Sequence, residues 1–88
     1  MKTSKQLERY FTGAANHTRI AIIRVVAKKE GISVFGITSE LGANFKTISQ
    51  HTKALVQAGL LNKKYRGREV THELSPYGKA FLKFMQSF

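Results

Sequence analysis

From Leu41 to Arg68 the chain contains no carboxylate, while Lys46, Lys53, Lys63, Lys64, Arg66 and Arg68 place six positive charges there. Cations free of neighbouring acids suit a polyanion, because each one that meets a phosphate releases a condensed counterion. Four of the five acids, Glu8, Glu30, Glu69 and Glu73, lie outside the stretch, and the fifth, Glu40, immediately precedes it. Singly these residues are ordinary: Lys46 and Lys53 would suit any solvated helix face, and Arg66 and Arg68 any exposed turn around Gly67. Their company is what favours contact with a polyanion.

Catalytic chemistry has no comparable starting point. There is no Asp, and Glu69 and Glu73, the only closely spaced carboxylates, would stand roughly 13 Å apart along an extended strand, too far for acid/base pairing. No Gly-rich phosphate loop, Ser-His-Asp set or HExxH appears, so the chain is not expected to be an enzyme. His17, His51 and His72 fall on three different elements without a second ligand at metal spacing, and the absence of Cys removes thiolate sites and disulfides. No metal or cofactor is expected.

The elements that must position the cations follow from apolar spacing and from the Gly and Pro punctuation. Leu7, Tyr10, Phe11 and Ala14 recur at helical spacing and give a short first helix. From His17 to Glu30 the residues Ile20, Ile22, Ile23, Val25, Val26 and Ala27 lie nearly all round a second helix, which is expected to be the central core helix. Gly31 ends it, and Ile32 to Phe35 reads as an isolated strand or extended connector. Ile37 to Leu41 allows a turn or two of helix before Gly42. Asn44 then offers an N-cap to a helix over Phe45–Ala58, with Ile48, Leu55 and Val56 inward and Lys46, Thr47, Gln50, Lys53 and Gln57 mostly outward. After Gly59, Leu61–Tyr65 and Val70–Leu74 alternate around Arg66-Gly67-Arg68 as a basic-tipped hairpin. Ser75-Pro76 opens a last helix with Tyr77, Phe81, Phe84, Met85 and Phe88 as its apolar stripe.

Eighty-eight residues are too few for two cores, so residues 1–88 are expected to be one domain. A net charge of +10 and a pI near 10.3 coexist with 42% hydrophobic residues, so the chain is basic but folded. Its longest apolar run, Ile20–Ile23, is far too short for a bilayer, and the N-terminus carries no apolar signal-peptide core. A cytoplasmic location is expected. The fold class is mainly α with a small β-hairpin, in the order H-H-(E)-H-H-E-E-H. A short helix, a Gly turn, a second helix with a polar outer face and a basic hairpin is how a winged helix-turn-helix meets duplex DNA.

The segments Asn16–Ile20 and Leu41–Leu55 resemble those of ArsR-type winged-helix transcriptional regulators, and Leu74–Lys79 is similar to the segment that follows the wing in MarR-type regulators. The resemblance implies a homodimeric repressor whose second helix-turn-helix helix enters the major groove with Lys46, Thr47, Ser49 and Gln50. By donor and acceptor geometry Gln50 suits adenine N6 and N7, Lys46 suits guanine O6 and N7, and Thr47 or Phe45 suits a thymine methyl. Phe45, at a helix start, is expected to pack as a staple instead. Asn44, Lys53, Lys63, Lys64, Arg66 and Arg68 form the expected backbone or wing contacts. The family's metal sensors commonly carry Cys at the equivalent of Gly36–Thr38 or acidic and His ligands on the last helix. Neither is present, so DNA binding is expected to ignore metals. Phe45 also stands where the family is often polar, and Thr52 where it is often aliphatic.

Leu7, Tyr10 and Phe11 at one end, with Tyr77, Phe81, Phe84, Met85 and Phe88 at the other, exceed what so small a core can cover. The terminal helices are therefore expected to join a homodimer. Two other readings stand beside that of a sequence-specific regulator: a basic winged helix that coats DNA without preference or binds RNA, and a winged-helix protein-docking module.

Overall fold

Thr3 starts the first helix with a reciprocal cap: its hydroxyl accepts from Gln6 N while Gln6 Oε1 accepts from Thr3 N, satisfying two donors of the first turn. The computed structural model describes residues 1–88 as helices α1 (Ser4–Ala14), α2 (His17–Lys28), α3 (Val34–Leu41) and α4 (Phe45–Gln57), strands β1 (Leu61–Arg66) and β2 (Glu69–Leu74), and helix α5 (Pro76–Gln86). The order H-H-H-H-E-E-H is that of a winged helix-turn-helix and matches the sequence reading, with the intervening extended piece reduced to one residue. Ile32 makes an isolated antiparallel bridge to His72, and Ser33 already caps α3 by accepting from Gly36 N. Val34 and Phe35 are thus helical rather than extended, and α3 begins three residues before Ile37 because the local Ser33 cap outweighs the β-branched character of the run.

The core is built around α2, where Ile22, Ile23 and Val26 are fully buried against Ile37 of α3 and Ile48 and Leu55 of α4. Leu60, Leu61 and Leu74 close it from the hairpin base. Val25 and Ala27 of α2 only pack against this cluster from its edge. On α4 the buried ridge is Ile48, Thr52 and Leu55, with Val56 half-buried. Thr52 thus takes the inward place expected of Val56, one helical turn after Ile48 and one before Leu55.

Gly42 ends α3 in the left-handed conformation, φ 58°, and Asn44 caps α4 by accepting from Thr47 N at 3.1 Å. Two residues thereby turn the chain between the paired helices. The hairpin pairs Leu61 with Leu74 through Arg66 with Glu69, so the turn is the two residues Gly67 and Arg68 rather than three. Gly67 has φ 62° and no non-Gly residue has positive φ. Gly at the first turn position matches the strand twist without strain at Arg68.

The last helix is fastened to the hairpin base by Ser75, whose hydroxyl accepts from Gly78 N and donates to Gly59 O at 2.6 Å. Gly78 lies so close to the Leu60 carbonyl that a Cβ there would stand 2.0 Å from its oxygen. Only glycine lets α5 approach this closely. No helix is long and apolar enough to cross a membrane.

Candidate nucleic-acid interface

The cap at Asn44 fixes the roll of α4 and with it a lengthwise division of the helix. Lys46, Gln50, Lys53 and Gln57 are exposed along one stripe, with Thr47 beside it. Phe45, Ser49 and Lys53 flank the hairpin: Phe45 lines a cleft with Arg68 and Val70, while Ser49 and Lys53 line an adjoining one with Lys63 and His72. On the opposite flank His51 meets α2. Of the expected base-contact residues, the fold brings Lys46, Thr47 and Gln50 together on the free stripe. It sets Ser49 apart, half-buried against the hairpin.

The hairpin carries Lys63, Lys64, Arg66 and Arg68 in exposed positions next to that stripe. They are not equivalent. Lys64 Nζ bonds Glu73 Oε1 at 2.9 Å across the strands, so part of its charge is already answered. Lys63, Arg66 and Arg68 make no ion pair with a carboxylate of the chain. Lys29 pairs with Glu40, which ties up the acid that immediately precedes the cationic stretch and joins the end of α2 to α3.

Three histidines occupy three environments. His17 is exposed at the start of α2. His72 is buried in β2 with Nδ1 3.4 Å from the Ile32 carbonyl. Burial pushes its pKa below the ordinary 6.5, the Ile32 carbonyl opposes this, and Lys63, its cross-strand partner, adds to the lowering. His51 accepts the Nε–H of Arg19 at Nδ1, 3.0 Å away, while Arg19 also donates to the Gly13 carbonyl at 3.2 Å. That acceptance needs the lone pair on Nδ1 and so places the proton of neutral His51 on Nε2.

Sequence reasoning does not single out Arg19. One side chain spans the end of α1, the start of α2 and the middle of α4, and nothing along the chain distinguishes it from Arg24 and Lys28 of the same helix. Phe35 escapes it as well. It stacks on Phe45 with ring centroids 4.6 Å apart, so Phe45 does not act as a staple. The staple positions around the Asn44 cap are Ala43 and Ile48, and Phe45 lies between them at the first helical residue.

A capped helix held by the preceding one through a Gly turn, with a cationic hairpin beside its free stripe, defines a winged helix-turn-helix DNA-binding protein. The model of the bacterial regulatory proteins of the arsR family matches residues 16–63, more than half of the chain, and the chain belongs to that family. The match does not extend to Leu74–Lys79. HlyU from Vibrio cholerae is similar in structure, with a TM-score of 0.85 and 25% identity over 98% of this chain and 94% of that one. A homodimeric winged helix-turn-helix DNA-binding domain from Mycobacterium bovis, described as a possible ArsR-family regulator, superposes with a TM-score of 0.80 at 24% identity, covering 94% of this chain and 76% of the other. The transcriptional repressor PagR of Bacillus anthracis gives 0.83 at 20% identity over 92% and 93%. No curated protein sequence matches the chain. The family and these neighbours are regulators of transcription rather than enzymes.

Proposed function

We propose that residues 1–88 form one winged-helix unit that represses transcription as a homodimer, with α4 in the major groove and the hairpin on the phosphate backbone or in the minor groove. The observation that carries this reading is the exposed stripe of Lys46, Gln50 and Lys53 on α4 beside Lys63, Arg66 and Arg68 of the hairpin, all free of carboxylate partners. Lys46, Thr47 and Gln50 supply donors and acceptors for base edges, with Ser49 at the margin. Asn44, Lys53, Lys63, Lys64, Arg66 and Arg68 hold the backbone.

The dimer reading rests on the opposite surface. Phe11, Tyr77, Phe84 and Phe88 are 53%, 46%, 51% and 91% exposed, and Leu7, Phe11, Phe81 and Phe84 line one apolar hollow between α1 and α5. Tyr10, Phe81 and Met85 are shared with the core and anchor this layer from beneath. An apolar surface of this kind is stable in water when a second copy covers it.

Selection of bound fragments from random duplexes, followed by footprinting, tests the reading. Enrichment of a two-fold symmetric site with half-sites about one helical turn apart is expected. Equal retention of all sequences would instead favour a non-specific DNA coat, and no retention of duplex DNA would favour a protein-docking module.

A further inference from the structure

The two helices of the helix-turn-helix begin on phenylalanines that the core does not use. Phe35 is the second residue of α3 and Phe45 the first of α4. Their rings stack with an interplanar angle of 27°, yet Phe35 remains 74% and Phe45 43% exposed. Ile37 and Ile48, which carry the two helices into the core, are fully buried in a cluster that includes neither ring. The rings therefore shield one another only in part and present an apolar platform to solvent.

The surroundings say what such a platform is for. Together with Val34, the rings line a cleft whose other lining residues include Arg68, Glu69 and Val70 of the hairpin. Lys46 follows Phe45 directly, and Glu69, the one carboxylate lining the cleft, lies across the strands from Arg66. An apolar platform alone would accept any apolar partner, but one lined by Arg68, with Lys46 next to Phe45 in the chain and Arg66 across the strands from Glu69, favours a polyanion. Duplex DNA is a polyanion with an apolar group on its readable edge, the 5-methyl of thymine, which none of the other three bases carries in the major groove.

We propose that Phe35 and Phe45 together form a specificity element that receives the 5-methyl group of a thymine in each half-site. The proposal rests on the reading of α4 as the groove helix. Phe45 stands one residue before Lys46 on the hairpin-facing flank of α4, and Phe35 supplies the second ring from the preceding helix, so the pair distinguishes thymine from cytosine by shape and apolarity without a hydrogen bond.

The test uses the duplex obtained by selection from random sequence, resynthesised with each thymine in turn replaced by deoxyuridine, which keeps every hydrogen-bonding group and removes only the methyl. For the wild-type protein, one replacement per half-site is expected to weaken binding about fourfold, the worth of one buried methyl-sized group. Phe35→Ala and Phe45→Ala are expected to bind the thymine and deoxyuridine duplexes equally, and Phe45→Leu to retain part of the preference. Thermal unfolding followed by circular dichroism establishes that the variants are folded. Wild-type binding that is indifferent to deoxyuridine at every position overturns the proposal while leaving α4 as the groove helix. So does a thymine preference that survives intact in both alanine variants, or a drop in their affinity that is equal for the two duplexes, the mark of a sugar contact or of packing alone. Failure of the selection to enrich any sequence removes the groove reading and this proposal with it.

Discussion

Two surfaces of this small protein are left open to solvent, and they are chemically opposite. On one, α4 and the hairpin expose Lys46, Gln50, Lys53, Lys63, Arg66 and Arg68, with apolar character confined to the Phe35–Phe45 pair and Tyr65. On the other, α1 and α5 expose Phe11, Tyr77, Phe84 and Phe88, joined by edge-to-face pairs such as Phe11–Phe81 and Phe84–Phe88. A charged surface needs nothing from a partner to remain in water, whereas an aromatic one does. The contrast underlies the proposed division of labour, in which one side meets a polyanion and the other is covered by a second copy.

The comparison breaks most severely if a charge is placed on the aromatic side. Phe84→Asp is expected to yield monomers, at a cost on the order of 4 kcal/mol of association, since a buried unpaired carboxylate replaces an aromatic anchor. Sedimentation velocity checks this, and a variant that stays as associated as the wild type would place the interface elsewhere. On the charged side, removing Arg66 and Arg68 together is expected to weaken binding to every duplex and to make log K against log salt shallower by about 0.9 for each phosphate no longer neutralised. Salt titrations on specific and scrambled duplexes measure both effects.

Gln50→Ala sharpens the division within the reading surface. It should cost roughly 1–3 kcal/mol of discrimination at one base position per half-site while sparing non-specific affinity. Repeated selection with the variant reads this directly, and an unchanged consensus would move base reading to the hairpin. Arg19→Ala cuts the tie between α1, α2 and α4 without touching either surface. A decrease of about 1–2 kcal/mol in stability is expected, in line with partly buried hydrogen bonds from a charged donor, together with reduced selectivity as α4 loses its lateral support. Urea unfolding and a competition assay separate the two.

The smallest effect concerns His72, whose burial lowers its pKa from the ordinary 6.5. Below that value the unfolded chain binds the proton and the folded chain resists it, so stability falls as pH drops from about 6.5 toward the lowered folded value and levels off beneath it. His72→Gln should flatten that part of the pH–stability curve. A curve unchanged by the substitution would assign the dependence to another group.

Much of the architecture is legible along the chain because local chemistry agrees with it. Asn44 after Gly42, Pro76 after Ser75, and alternation on either side of Gly67 each specify a boundary from neighbouring residues alone, and all three boundaries are present in the fold. The start of α3 is not legible in this way, because a β-branched run and a Ser cap make competing local claims and burial of Ile37 within the three-helix core accompanies the helical outcome. The outward stripe of α4 follows from helical periodicity, yet the inward place of Thr52 does not, since a lone hydroxyl among apolar neighbours gives no sign of which side it takes.

The sequence by itself determined the charge division, the acid-free stretch from Leu41 to Arg68, the order of elements and the excess of aromatic residues at the two ends. Composition and short-range periodicity are properties of the chain, and folding cannot alter them. Only the tertiary structure decided that Arg19 meets His51 thirty-two positions away, that Lys64 is answered by Glu73, and that Phe35 and Phe45 share a stack. Those contacts join residues on different elements, and their geometry follows from how α2, α3, α4 and the hairpin close on a common core rather than from any spacing along the chain.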